Sequence, residues 1–94
     1  MGDALSGLYS LIEGRKATRP EGSYTTYLFD QGLDKILKKV GEEAAETIIA
    51  AKNQDKDALV SETADLLYHL IVMLVHGGIT LDRIGEELIQ RRRG

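Results

Sequence analysis

"VGEEAAETIIA", residues 40–50, sets Glu42, Glu43 and Glu46 within five residues of a segment whose apolar positions repeat at helical spacing. At 100° per residue, Glu46 lies about 40° around a helix from Glu42 and about 60° from Glu43, so all three project within roughly a quarter-turn arc. Extended back to Leu33 or Asp34 and forward to "KNQD" (52–55), the segment predicts a helix. Its expected buried stripe is Ile36, Leu37, Val40, Ala44, Thr47, Ile48 and Ala51. Gly41 costs such a helix roughly 1 kcal/mol relative to Ala, which points to close packing or close ligand approach at that turn, packing being the expected cause.

The connection "KNQDKD" (52–57) is short, so the next helix is an antiparallel neighbour. Asp55 caps it, and it runs through "DALVSETADLLYHLIVMLV" (57–75) until Gly77 and Gly78 end it in the left-handed conformation that glycine tolerates. Glu62 and Asp65, three apart, share one face. An E-x-x-E on one helix can therefore oppose an E-x-x-D on the next. The second half of this helix is apolar almost all round and must be surrounded on most sides, which a chain of 94 residues is expected to achieve only with a second subunit. A homodimer is the resulting expectation.

Working outward, Leu5, Leu8, Leu11 and Ile12 predict an amphipathic helix from Ala4 to about Lys16, ended by Pro20. "ATRPEGSYTT" (17–26) reads as a loop, after which Ser23 or Thr25 caps a short helical turn through Phe29 that Gly32 closes. At the C-terminal end Thr80 caps a last helix, with Ile79 and Ile84 forming a hydrophobic staple and Leu81, Ile84 and Leu88 its apolar face. No strand-length alternation and no internal repeat occur. The fold expected is one all-α domain over residues 1–94, a bundle of four to five helices completed by dimerisation.

Hydrophobic residues at 43% and charged residues at 29%, with a single proline, are the make-up of a folded helical protein. With no cysteine, thiolate metal sites and disulfides are excluded, and a metal must be held by oxygen or by His69 and His76. Oxygen ligands point to magnesium or manganese. The N-terminus lacks the basic start and continuous apolar run of a signal peptide, and the longest apolar stretch is the ten residues 66–75. A cytoplasmic protein without membrane contact is expected. A net charge of −3 argues against nucleic acid as a partner, and the arginines 91–93 read as a solvated tail.

Carboxylates converging without a counter-ion repel one another, and their pKa values rise until some are protonated. A divalent cation removes that penalty. Magnesium is held by few carboxylates, with waters and substrate phosphates completing its coordination, which is the chemistry of pyrophosphate-bond hydrolysis. The plainer reading is a solvated acidic face in which Lys39 pairs with Glu43 and Lys38 with Glu42. It weakens for the set as a whole, because Asp65 stands directly before the apolar run, between Ala64 and Leu66.

"EEAAE" followed after fifteen residues by "ETAD" is similar to the E-x-x-E, spacer, E-x-x-D signature of the all-α nucleoside triphosphate pyrophosphohydrolase superfamily, which includes the MazG enzymes. Within it the chain resembles the phosphoribosyl-ATP pyrophosphohydrolase family of histidine biosynthesis. The likeness runs through "LYSLIEGRK" (8–16), "PEGSYTTYLF" (20–29), "GLDKILKKVGEEAAETIIAAKN" (32–53) and "ETADLLYHLIVML" (62–74). It implies a helical dimer that hydrolyses the α–β phosphoanhydride of phosphoribosyl-ATP with Mg²⁺, giving phosphoribosyl-AMP and pyrophosphate. By motif position it makes Glu43, Glu46, Glu62 and Asp65 the metal ligands.

Beside them, Glu42 is the candidate for orienting or deprotonating the attacking water. Lys39 and Lys35, on successive turns, are candidates for phosphate oxygens, with Lys38 less well aligned. Ser23, Tyr24 and Thr25 offer hydroxyls for a phosphate or ribose, while Tyr27 and Phe29 are expected to pack the loop onto the bundle. His69, one turn after Asp65, reads as a hydrogen-bonded core histidine, with a supporting role beside the metal as the alternative. The chain lacks the length and the Cys and His residues of the cyclohydrolase often fused to this activity, so the next reaction is expected to belong to another protein. Two rivals remain: a relative that hydrolyses other nucleotides at the same metal site, and a non-catalytic dimerisation module with a solvated acidic face.

Overall fold

The computed structural model describes residues 2–92, so Arg93, the last arginine of the expected tail, lies outside the described residues. Five helices follow one another: α1 (Gly2–Thr18), α2 (Tyr24–Gln31), α3 (Leu33–Lys52), α4 (Lys56–Gly77) and α5 (Leu81–Arg91). Among the described residues there is no strand, and the fold is all-α.

The helix starts are written locally. Ser23, Asp55 and Thr80 each stand in extended backbone and accept a hydrogen bond from the amide three residues on, those of Thr26, Ala58 and Arg83. Gly32, at φ +93°, closes α2 through its N–H to the Leu28 carbonyl and starts α3 at once, so the two helices meet at one residue. Gly78, at φ +72°, ends α4 in the left-handed conformation.

The core is a single cluster of Ile12 from α1, Leu28 and Phe29 from α2, Ile36 from α3, and Ile71, Val72 and Val75 from α4. Leu5, Leu8, Tyr9, Tyr68, Met73 and Leu81 pack around it. The Tyr9 hydroxyl donates to the Ile79 carbonyl at 2.8 Å, tying α1 to the turn after α4. Helices α3 and α4 run antiparallel in the most extensive helix contact of the chain. α4 is also long and apolar enough to cross a membrane by length and composition alone, a test that core helices pass as well.

Four expectations need correction. Of the predicted stripe on α3, Ile36 is buried and Val40, Ala44 and Thr47 are half-buried, but Leu37, Ile48 and Ala51 are exposed, Ile48 to 68%. The face that meets α4 is rotated toward Glu43, Thr47 and Ala50. Gly41 has nothing within 4 Å of where a Cβ would stand, so packing within the chain does not account for it. Tyr27 is 43% exposed rather than packed onto the bundle, whereas Phe29 is buried as expected. On α5, Leu81 is half-buried against the core, while Ile84 and Leu88 face solvent.

Candidate functional site

Because α3 and α4 run antiparallel, Glu43 and Glu46 on one helix come opposite Asp65 and Glu62 on the other. One oxygen from each of Glu43, Glu62 and Asp65 lies within 4.8 Å of the other two. Glu43 is only 7% exposed, Glu62 is half-buried and Asp65 is exposed, so the group sits at the edge of the helix interface. Thr47 fixes the two backbones there: its hydroxyl lies 2.8 Å from the Glu43 carbonyl on its own helix and 3.1 Å from the Glu62 carbonyl across the interface.

The electrostatics of this group are unfavourable as it stands. Burial pushes the Glu43 carboxyl above the usual carboxylate range, and the charge of Glu46 pushes it further. Hydrogen bonding to the Glu46 carboxyl is the main cause that raises Glu62, followed by burial. Glu46 thus interacts with both, one on its own helix and one across the interface. Glu43 Oε2 and Glu62 Oε2 are buried with no hydrogen-bond partner. An ionised carboxylate oxygen can only accept, so burying two of them unpartnered is costly unless a cation faces them. The donor set is all oxygen, which fits a hard divalent ion such as magnesium or manganese.

Lys39 is the near cation. Its Nζ lies 3.2 Å from Glu42 Oε2 and 3.7 Å from Glu43 Oε1, and the bond to Glu42 chiefly raises its pKa. The expected Lys39–Glu43 pair is therefore present, but Glu42 pairs with Lys39 and not with Lys38. The shorter reach from position 39 places its ammonium between both carboxylates, and Lys38 stays exposed. Glu42 stands outside the convergent group, turned toward Lys39. Lys35 points its ammonium over the Tyr27 ring, 5.8 Å from the centroid, so its charge lies with an aromatic face.

The three loop candidates all have engaged hydroxyls. Ser23 caps α2. Thr25, buried, shares a hydrogen bond with the Tyr68 hydroxyl. Tyr24 meets His69 Nε2 at 2.8 Å, while His69 Nδ1 lies 2.7 Å from the Asp65 carbonyl. A carbonyl only accepts, so Nδ1 carries a proton and donates to it, while Nε2 shares a hydrogen bond with the Tyr24 hydroxyl. His69 is buried and hydrogen-bonded, as expected of a core histidine, and it also ties the loop to the turn bearing Asp65.

Beside the loop is a concavity of about 500 Å³. Arg19, Tyr24, Tyr27 and Asp30 line it. Its central ion pair, Arg19 Nη1 to Asp30 Oδ1 at 2.9 Å, has no sequence signal, because the two residues stand eleven apart in different elements. Tyr68 was also unsingled, since within "LLYHL" (66–70) it reads as core.

The family pattern described as "Phosphoribosyl-ATP pyrophosphohydrolase" matches residues 5–92. The chain is 62% identical over 84 residues to the phosphoribosyl-ATP pyrophosphatase of Lactiplantibacillus plantarum, covering 89% of this chain and 79% of that protein. It is 61% identical over 87 residues to the phosphoribosyl-ATP pyrophosphatase of Limosilactobacillus fermentum, covering 93% and 82%. Against the histidine biosynthesis bifunctional protein HisIE of Caldanaerobacter subterraneus it is 57% identical over 89 residues, covering 95% of this chain but 43% of that larger protein. The chain belongs to the phosphoribosyl-ATP pyrophosphohydrolase family, within the all-α MazG-like superfamily.

Proposed function

We propose that this enzyme hydrolyses phosphoribosyl-ATP to phosphoribosyl-AMP and pyrophosphate in a magnesium-dependent reaction, an early step of histidine biosynthesis in the cytoplasm. The observation that carries the reading is the convergence of Glu43, Glu62 and Asp65 within 4.8 Å, with buried, unpartnered oxygens on two of them. Glu43, Glu46, Glu62 and Asp65 would hold the ion. When bound, magnesium, or manganese in its place, supplies the positive charge that offsets the carboxylates and polarises the phosphate oxygens.

The chain's own groups have separable tasks. Lys39, held between Glu42 and Glu43, offers a cation where a phosphate chain approaches the carboxylates. Glu42 is the carboxylate beside the group that orients the attacking water or accepts its proton, with Lys39 fixing its direction. Lys38, exposed on the same helix, and Lys35, by leaving the Tyr27 ring, would meet outer phosphates. Ser23, Tyr24 and Thr25 hold the loop in shape through their hydroxyls and present its backbone to the substrate.

Dimerisation is part of the same proposal. Ile48 and Ile49 on α3 and Val60 on α4, each more than half exposed, hold apolar side chains in water, and covering them would be favourable. A groove of about 460 Å³ beside Val60 is lined almost wholly by apolar atoms, including Leu59 and Leu67. A second copy of this chain would cover both.

The function is tested by incubating purified protein with phosphoribosyl-ATP and Mg²⁺ and following phosphorus NMR, beside ATP, dUTP and a chelator control. Pyrophosphate released from phosphoribosyl-ATP and abolished by the chelator is the expected result. Equal or faster cleavage of ATP or dUTP would move the chain to a general nucleotide-clearing role, and no turnover would remove the reading.

A further inference from the structure

The concavity beside the loop is not explained by the carboxylate chemistry. It is about 500 Å³, within the range of small-molecule sites. Its walls differ in kind from the acidic group. Tyr24 and Tyr27 stack with centroids 6.1 Å apart and planes 24° apart, and both rings remain more than two-fifths exposed. The chain has only five aromatic residues, four tyrosines and one phenylalanine, so two stacked, solvent-facing rings at one site are a costly use of them.

The polar groups of the concavity are held ready. Arg19 stands at φ +47°, a conformation that a side chain beyond Cβ rarely adopts without compensation. Its Nε donates to the Lys16 carbonyl at 3.1 Å and its Nη1 to Asp30 at 2.9 Å, which leaves the Nη2 edge uncommitted among the described residues. Thr26, nine-tenths buried in the same wall, has a hydroxyl with no partner. Asp30 and Gln31 add a carboxylate and a carboxamide at the rim.

Tyr24 fixes where this concavity stands relative to the carboxylates. Its ring forms part of the wall and its hydroxyl binds His69, which in turn binds the Asp65 carbonyl. The concavity and the acidic group therefore share a strut of two hydrogen-bonded side chains. Phosphoribosyl-ATP likewise carries a flat purine beyond its polyanionic triphosphate, with the second phosphoribosyl group on the far side of the base. Asp30 and Glu21 in the lining disfavour the phosphates, whereas aromatic faces and mixed donors and acceptors suit a base and its sugar hydroxyls.

We propose that this concavity is the subsite for the purine nucleoside portion of the nucleotide, with the base stacking on Tyr27 as the Lys35 ammonium over that ring swings away toward the phosphates, and Arg19 and Asp30 meeting the polar edge of the base. Tyr24, through His69, is the positioning residue that holds this subsite at a fixed distance from the carboxylates. The inference rests on the proposed nucleotide hydrolysis but is tested apart from it.

AMP, which lacks the anhydride, is titrated into ¹⁵N-labelled protein without magnesium, using wild type, Tyr27→Ala, Tyr27→Phe and Arg19→Ala. Stacking of one base on one aromatic ring corresponds to roughly 5- to 150-fold in affinity. The expected result is amide shifts around Gly22 to Gln31, a loss of affinity in that range for Tyr27→Ala, near wild-type affinity for Tyr27→Phe, and an intermediate loss for Arg19→Ala. With phosphoribosyl-ATP and Mg²⁺, Tyr27→Ala raises KM by a comparable factor and leaves kcat nearly unchanged. AMP binding unaffected by Tyr27→Ala, or shifts confined to the carboxylate turns, overturns the subsite. A wild type that binds AMP through Tyr27 yet never releases pyrophosphate removes the proposed reaction and leaves the subsite standing.

Discussion

The Thr47 hydroxyl lies 3.1 Å from the backbone carbonyl of Glu62 on α4 and 2.8 Å from that of Glu43 on its own helix, so its one proton is shared across the interface between α3 and α4. Thr47 stands one turn from Glu43 and so sets how closely the two acidic faces approach. Thr47→Val keeps the shape and removes the bond. A net hydrogen bond contributes about 1 kcal/mol, and for a domain of this size that shifts Tm by roughly 4–8 °C. A thermal melt of Thr47→Val should fall by that amount, with magnesium affinity reduced because the opposing carboxylates lose their register.

Glu46 raises the pKa of both Glu43 and Glu62, so it is the residue whose charge costs the metal-free fold most clearly. Glu46→Gln is expected to raise the Tm of chelated protein by an amount on the order of a few °C. The same substitution should lower magnesium-dependent turnover by roughly 100-fold or more. Calorimetry and a pyrophosphate-release assay on one preparation check both signs. Loss of stability together with loss of activity would mean that Glu46 is structural.

The raised carboxyls also give a pH dependence. Glu43 and Glu62 titrate above their ordinary value of 4.5 in the folded chain, so between that value and the raised one the folded state binds more protons than the unfolded state. Stability contributed by these groups is therefore greatest at the acid end and is lost as pH rises through 4.5 toward the raised values. Melting of chelated protein across this window should show a downward trend that is flatter in Glu43→Gln. Saturating magnesium should also flatten it for wild type, because the ion competes with the protons.

The features read correctly in the sequence are those fixed within a few residues. Ser23, Asp55 and Thr80 cap helices because a short oxygen-bearing side chain meets an amide three positions on, whatever the rest of the fold does. The opposition of E-x-x-E and E-x-x-D was legible because a short connection leaves two helices little choice but to lie antiparallel. Rotation about the helix axis was not legible. Counting apolar residues put Leu37, Ile48 and Ala51 inside, but the interface with α4 instead buries Glu43, which a polarity pattern assigns to solvent. Tyr27 was misread for a related reason, since an aromatic ring on an amphipathic turn looks like core whether it packs or waits for a ligand.

Those misplaced apolar residues lead to a prediction about assembly. If Ile48 and Val60 cover each other's copies, Val60→Asp puts a charge into an apolar interface, where it is left unpaired. Light scattering should show a dimer for wild type and a monomer for Val60→Asp, with helix content retained. A wild-type monomer at micromolar concentration would remove the dimer from the account.

Lys39 provides a test of how the phosphates are met. It bridges Glu42 and Glu43, so Lys39→Met removes a cation and frees Glu42 at the same time. A loss of about 10-fold or more in kcat/KM is expected, consistent with a missing charge-assisted contact. Lys38→Met should cost clearly less, because Lys38 is exposed and would meet only outer phosphates. Equal effects of the two substitutions would indicate a general field rather than a contact.

If Glu43, Glu62 and Asp65 form one cation site, the protein binds Mn²⁺, which electron paramagnetic resonance reads directly. Wild type should take up the ion, Mg²⁺ should displace it, and Glu62→Gln should abolish the uptake while circular dichroism remains unchanged. Uptake of the same strength in Glu62→Gln, or none in wild type, would mean that these carboxylates do not hold a cation.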